Sequence, residues 1–418
     1  MGDDEITIAK ITGSNSGVVK PRIAKERECQ SQRTKSRAEV FTPSWLCNQM
    51  NNFFDEEWFG RRDVFNVEEF QSWTAVQSQV RFPKTKGHGW HAYVESPRLE
   101  ITCGEAPFVC SRYDTVSGNV LPINMRIGFL DRKMRVVTEK TTTRKQWAKW
   151  SLAALKATYG YEYQGDNLLI ARINVFETFC EHYCYRWGAM PTSDELEQAA
   201  WIVSWNFWQM DGLTCAAPTN KIAAFAQSDL FDHEGSKFET MQQSLFDLLD
   251  DVFLNESTSE LEAKEPQGTV PLCIMYDWQE SKPLEFAKLK GSACPMRKKF
   301  YAVIGNPPYQ AVPEMGSTRS LPIYDKFMDE AFKVSERVEL ITPARFLFNS
   351  GQTSAIWNEK MLNDPHLKVV MYEPDSSKVF SGVDIKGGVA VTYRDSNAEY
   401  DPIGLLSPLR CCDLLLPR

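Results

Sequence analysis

Residues 300–309, Phe-Tyr-Ala-Val-Ile-Gly-Asn-Pro-Pro-Tyr, constrain the chain more than any other stretch. Tyr301, Val303 and Ile304 suit a buried strand, and Gly305 ends it. Asn306, Pro307, Pro308 and Tyr309 then make a rigid polar turn. The prolines fix φ and remove two backbone donors, so the local carbonyls have nothing of their own to bond. An Asn side-chain oxygen beside a free Pro307 carbonyl gives two acceptors aimed at one point, which suits an exocyclic amine with two N–H donors. Tyr309 adds a flat face on which a planar ring can stack. The bland alternative is an ordinary Pro-Pro turn. By average residue usage, Asn-Pro-Pro-aromatic arises by chance in on the order of one chain in several hundred of this length.

At 418 residues the chain has room for about two or three domains, or one large elaborated α/β domain. Its 43% hydrophobic and 24% charged content are those of a globular protein. No apolar run approaches the roughly 18 residues of a membrane span, so no membrane partner is expected. Met1-Gly-Asp-Asp-Glu is acidic where a secretory signal is basic and then apolar, which implies a cytoplasmic protein. The cytosol would keep its 11 cysteines reduced. A net charge of −8 argues against a simple basic nucleic-acid-binding module. Two basic runs, 20–37 and 132–149, read singly as solvated faces; together they could hold phosphates. Residues 229–265 are strongly acidic.

Taken in order, residues 1–35 read as a flexible basic arm. Order begins at Phe41-Thr42-Pro43, where Thr42 is expected to cap a helix with Pro43 at its first position. Arg98 to Phe108 reads as a short strand with Glu100 near its end. A small-residue turn follows through Thr102, Cys103 and Gly104, of the kind that lets a backbone approach a nucleoside-like ligand. Ala106 stands where a second glycine would complete the pattern. A helix is expected over 142–157, a strand over 158–163 ending in Glu162, and a helix over 166–183. An acid in the position of Glu162 can hold both ribose hydroxyls, although a plain surface Glu is equally compatible with the sequence. Trp201 to Met210 reads as a third strand, followed by Asp211-Gly212. Cys180, His182 and Cys184 fall within one helical turn, but no second ligand cluster follows, so no metal is expected. Residues 214–298 read as an insertion with a strand or hairpin near 272–276. Asp277 to Lys282 has a faint nuclease flavour without a convincing partner acid. Strands over 337–344, 368–372 and 387–393, with a helix over 323–334, complete an α/β, doubly wound, mostly parallel sheet.

In this order the residues resemble the gamma-class N6-adenine DNA methyltransferases of restriction–modification systems. The resemblance rests on Phe41-Thr42-Pro43, Glu100 to Phe108, Glu162, Asp211-Gly212 and Asn306 to Tyr309, and covers roughly residues 36 to 395. It implies a Rossmann-like catalytic domain over 36–400, interrupted by the insertion, and a tail over 401–418. It implies S-adenosyl-L-methionine as cofactor, bound by Phe41, Thr42, Glu100, Thr102, Cys103, Gly104, Glu162 and Asp211. The catalytic residues would be Asn306, Pro307, Pro308 and Tyr309, and the substrate a flipped-out adenine in double-stranded DNA. Two other readings share the chemistry or the fold. One is a methyltransferase acting on RNA or a protein glutamine; the other is a non-catalytic DNA-binding or anti-restriction subunit. In gamma-class enzymes target recognition follows the catalytic sheet, whereas only about 25 residues follow Tyr393 here. The chain is therefore expected to need a separate specificity or endonuclease subunit, or a longer C-terminus, for selective DNA binding.

Overall fold

The computed structural model describes residues 20–24, 42–218, 271–291, 300–311, 320–380 and 383–405. Phe41, most of the basic arm, the acidic stretch 229–265 and the tail beyond 405 lie outside the described residues. Eleven strands are described: β1 (Asn66–Glu69), β2 (Ser72–Ala75), β3 (Arg98–Ile101), β4 (Thr158–Glu162), β5 (Phe207–Gln209), β6 (Ile274–Asp277), β7 (Lys282–Glu285), β8 (Phe300–Gly305), β9 (Ser335–Pro343), β10 (Leu367–Glu373) and β11 (Val389–Asp395). The helices are α1 (Ser44–Phe59), α2 (Trp90–Glu95), α3 (Phe129–Lys140), α4 (Arg144–Lys156), α5 (Gly165–Trp187), α6 (Ser193–Asn206), α7 (Tyr324–Val334) and α8 (Ala355–Leu362).

Seven strands form one sheet in the order β10-β11-β9-β8-β3-β4-β5. The run from β9 to β5 is parallel, and β11 is antiparallel to both its neighbours. The chain is an α/β protein, mostly parallel and wound on both faces. On one face α1 and α3 to α6 pack over Ile304, Ile341 and Val391. On the other, α7, α8 and the β6–β7 hairpin pack over Leu99, Val303 and Leu340. That is why β8 reads as an apolar run and why all four residues of β3, Arg98 and Glu100 included, are buried. Gly305 is required where β8 meets β3, because a Cβ there would sit 2.6 Å from Ile101 Cγ1 and 2.7 Å from Ile101 O.

Three expectations are corrected. The third strand is not Trp201 to Met210: α6 runs through Asn206, and only Phe207–Gln209 is extended. The cause is local. Thr192 and Glu195 form a reciprocal capping box, and Ala199, Ile202 and Val203 face the core at helical spacing. Thr42 does not cap α1; Pro43 occupies the N-cap without a side-chain hydrogen bond. The run 132–149 is not a free basic face. Arg132 and Lys133 are buried, and Arg135 and Lys140 donate to the backbone carbonyls of Phe65, Val76, Ser78 and Val80.

His182 Nε2 lies 3.1 Å from Asp131 Oδ1, and Cys184 Sγ lies 3.2 Å from Met190 Sδ. Among the described residues no group of three His, Cys, Asp or Glu side chains converges on one point as metal ligands would. Asp277 caps the β6–β7 turn by accepting from Gln279 N and Glu280 N. No described helix is long and apolar enough to cross a membrane.

Glu339, in the middle of β9 between Ile304 and Tyr393, is 0% exposed, and neither carboxylate oxygen has a hydrogen-bond partner. Burial pushes its pKa well above the usual 4.5, against the pull of Lys368. The folded protein therefore keeps a proton that the unfolded chain has released. Its stability falls as pH rises above about 4.5, until Glu339 itself ionises in the fold. Glu339→Met should raise stability at pH 8 by about 1–3 kcal/mol, the cost of a buried polar group left unpaired. It should also flatten the pH slope between pH 5 and 8. Urea denaturation across that range checks both, and a variant that is less stable with an unchanged slope would refute the assignment.

Candidate active site

The carboxyl ends of β3, β4, β5 and β8 converge on one edge of the sheet. The register sets Ile101 beside Gly305 and Glu162 beside Gln209, so the segments that follow them lie side by side. After β8, Asn306 sits between two hydroxyls. Its Nδ2 donates to Thr42 Oγ1 at 3.3 Å, and its Oδ1 accepts from the Tyr309 hydroxyl at 2.8 Å. Thr102 Oγ1 donates to Ile101 O at 2.7 Å and lies 3.3 Å from Asn306 O. Three segments far apart in sequence, at Thr42, Thr102 and Asn306 to Tyr309, therefore meet at Asn306. The Pro307 carbonyl accepts no hydrogen bond from the described residues. Burial raises the Tyr309 phenol pKa well above its usual value, against the pull of Asn306, so the hydroxyl stays a neutral donor.

The turn after β3 is strained. Thr102, Gly104 and Ala106 have φ of 47°, 53° and 64°. For Thr102 and Ala106 this is the left-handed region that side chains avoid, at a cost of order 1–3 kcal/mol each. Ala106 thus holds the left-handed position where a glycine was expected. The turn is fastened by Cys103 N on Tyr161 O at 2.9 Å, Ala106 N on Cys103 O at 2.7 Å, and Gly104 N on Glu162 Oε2 at 2.8 Å. Glu162 also accepts from Gln164 N through Oε1, so it ties the β3 and β4 loops together.

Glu100 lies inside β3, 2% exposed, and accepts from Val109 N at 3.1 Å. Burial pushes its carboxyl well above the usual range. Cys103 is buried too, and burial followed by the charges of Glu100 and Glu162 keeps it a thiol. Asp211 Oδ1 accepts from Leu213 N at 2.9 Å and Thr214 N at 3.3 Å. Its other carboxylate oxygen has no hydrogen-bond partner among the described residues. Gly212 is needed beside it, because a Cβ there would stand 2.6 Å from Phe327.

A cleft of about 210 Å³ opens beside Asn306, Pro307, Pro308 and Tyr309. It is smaller than the roughly 300–1,000 Å³ of drug-sized ligand pockets and suits one flat ring. Its other walls include Gln310, Tyr324, Arg345, Gln352 and residues 383–386, none of which the sequence reading placed at the site. A signal was present. Arg345 follows β9 as Asn306 follows β8, at the carboxyl end of a parallel strand.

Residues 158–380 match the Eco57I restriction-modification methylase family. No curated protein matches the chain in sequence. Among solved structures it is similar to the ATP-dependent Type ISP restriction-modification enzyme LlaBIII bound to DNA, at 11% identity over 91% of this chain and 20% of that one, TM-score 0.42. It is also similar to a DrdV–DNA complex, at 12% identity over 90% and 28%, TM-score 0.39. A third is the Type I restriction enzyme EcoKI M protein, at 9% identity over 77% and 45%, TM-score 0.33. The chain spans a fifth to just under a half of the length of these three structures.

Proposed function

The chain belongs to the Eco57I restriction-modification methylase family, and from that premise we propose that it transfers a methyl group from S-adenosyl-L-methionine to N6 of an adenine flipped out of double-stranded DNA. The observation that carries this reading is the Asn306 junction: an amide oxygen, and a Pro307 carbonyl that accepts no hydrogen bond from the described residues, beside a ring-sized cleft. The catalytic unit spans 36–400, and its insertion contributes the β6–β7 hairpin to the fold.

The residues fit the cofactor. Glu162, which accepts from Gly104 N and Gln164 N, sets a carboxylate at this edge for the ribose hydroxyls, and Asp211 has an oxygen with no hydrogen-bond partner among the described residues for the adenine amine. The turn through Thr102, Cys103 and Gly104, left-handed at Thr102 and Gly104, brings its backbone to the same edge. Thr42 closes it over Asn306, and Glu100 holds the turn through Val109 rather than meeting the cofactor. When bound, the cofactor supplies an electrophilic methyl on sulfonium. Asn306 Oδ1 and Pro307 O accept both hydrogens of the target amine. This directs the nitrogen lone pair outward and draws electron density onto it. An amide oxygen has two lone pairs, so Oδ1 accepts the amine while still holding the Tyr309 hydroxyl. Tyr309 and Pro308 flank the ring. The same acceptors hold the N–H groups as nitrogen becomes cationic, so no base of matched pKa is needed before the proton leaves to water.

Incubation with labelled cofactor and duplex DNA, transfer RNA or a glutamine peptide tests this, with the product nucleoside identified by mass spectrometry. N6-methyladenine in DNA is expected; label only in RNA or peptide would sink the reading. For the cofactor site, Glu162→Ala and Asp211→Ala should each weaken cofactor binding by about 1–3 kcal/mol, the cost of a lost charged hydrogen bond. Calorimetry checks this, and unchanged affinity in both variants would mean that the cofactor lies elsewhere.

A further inference from the structure

The cleft beside Asn306 contains a cation that the chemistry above leaves unused. Arg345 lies in the single 3-10 turn Ala344–Phe348 that follows β9. Its stem fits against two glycines. A Cβ at Gly387 would stand 2.9 Å from Arg345 Cγ, and one at Gly351 would stand 3.2 Å from Arg345 Cβ. Both glycines have positive φ, 87° and 101°, so their backbone as well as their size suits them to the place. Arg345 Nε donates to Lys386 O at 2.6 Å. The guanidinium is thus aimed by backbone, while its two terminal nitrogens make no hydrogen bond or ion pair with the described residues.

The charged residues lining the cleft are Arg345, Lys386 and Asp384, which leave one net positive charge. A guanidinium offers donors only, in a planar fork. The exposed edges of adenine alternate donor and acceptor, so a fork of donors meets N6–H as a repulsion. A phosphate presents acceptors only and matches the fork in a bidentate way. A flipped nucleotide carries its phosphates at the cleft mouth while its ring goes inward, and Arg345 is only half-buried there. We propose that Arg345 binds a backbone phosphate next to the flipped adenosine and so fixes how deeply the ring enters the Asn306 cleft. The proposal rests on the adenine reading.

The test uses the full chain with S-adenosylhomocysteine and a short single-stranded oligonucleotide containing one adenine. A second oligonucleotide has uncharged methylphosphonates on both sides of that adenine. Fluorescence anisotropy should show the wild type losing about tenfold in affinity on neutralisation. Arg345→Ala should lose about tenfold on the charged oligonucleotide and nothing further on the neutral one, with Arg345→Lys between. Unchanged S-adenosylhomocysteine affinity in Arg345→Ala would show that the fold is kept. Should that affinity fall, Arg345→Lys alone carries the comparison, because it keeps the charge and loses only the fork. An Arg345 variant that still loses tenfold on neutralisation overturns the proposal, as does a wild type that does not distinguish the two oligonucleotides. A wild type with no affinity for either overturns the adenine reading and this proposal with it.

Discussion

Asn306→Ala is expected to retain the fold and cofactor affinity while methyl transfer drops about 10²- to 10⁴-fold. The amide oxygen does little for the resting protein. It accepts one hydroxyl, from Tyr309, and the amide nitrogen reaches Thr42 at the long distance of 3.3 Å. Losing both costs folding about 1–2 kcal/mol, within the reach of ordinary hydrogen bonds. In the proposed reaction the same oxygen would face an amine whose hydrogens become acidic as nitrogen turns cationic. Its hydrogen bond therefore strengthens towards the transition state, and an acceptor used mainly there lowers kcat and kcat/KM together. Tyr309→Phe divides the effect. It keeps the ring and removes only the hydroxyl that orients Oδ1, so a loss of about tenfold is expected. Single-turnover transfer measurements check both variants. Near-normal turnover in Asn306→Ala would remove the active site from this turn.

The part of the candidate site that sequence disclosed is the part built from neighbours. Asn306 to Tyr309 is contiguous, and its chemistry follows from residue type: two prolines take away donors and an amide supplies an acceptor. Gly305 was readable as a strand end, but not the reason for it, which is the approach of Ile101 from a strand 204 residues earlier. Thr42 shows the limit. Next to Pro43 and an apolar helix it reads as a cap, yet its hydroxyl faces Asn306, and only the sheet topology decides between those partners.

The misread strand at Trp201 has a different cause. Trp201, Ile202, Val203 and Trp205 carry strand propensity, but propensity is a weak prior beside a local nucleus. Thr192-Ser-Asp-Glu195 is such a nucleus, and once the box closes the helix runs to Asn206. Asp211 kept its place at the sheet edge because β5, though only three residues long, still pairs with β4. The basic run from Arg132 misled because charge was taken to mean surface. Those cations are bound by partners distant in sequence, and periodicity carries no record of them.

Asp55 is the partner that matters most, and Asp55→Ala is expected to cost about 3–5 kcal/mol of folding stability. Its Oδ2 takes Arg132 Nη1 at 2.5 Å, and its Oδ1 takes the Tyr93 hydroxyl at 2.8 Å with Arg98 Nη2 at 3.5 Å. Arg98 and Arg132 are 2% and 1% exposed, and two nitrogens of Arg98 already lack a hydrogen-bond partner. Lys133 lies close by, and burial followed by the Arg98 charge pushes its pKa well below the usual value. Without Asp55, Arg132 keeps only neutral acceptors, Ile127 O and Asn48, and the two guanidiniums are left with the faces of Tyr93, Tyr301 and Phe65 beside them. The effect should reach the active site. Asp55 is on α1, which begins directly after Thr42-Pro43, so loosening α1 removes the hydroxyl held against Asn306. Asp55→Asn keeps an acceptor for Tyr93 and one arginine, and should fall between wild type and alanine. Urea denaturation ranks the three proteins. An alanine variant within 1 kcal/mol of wild type would mean that Arg98 and Arg132 reach solvent on their own, and that α1 is held by its apolar face alone.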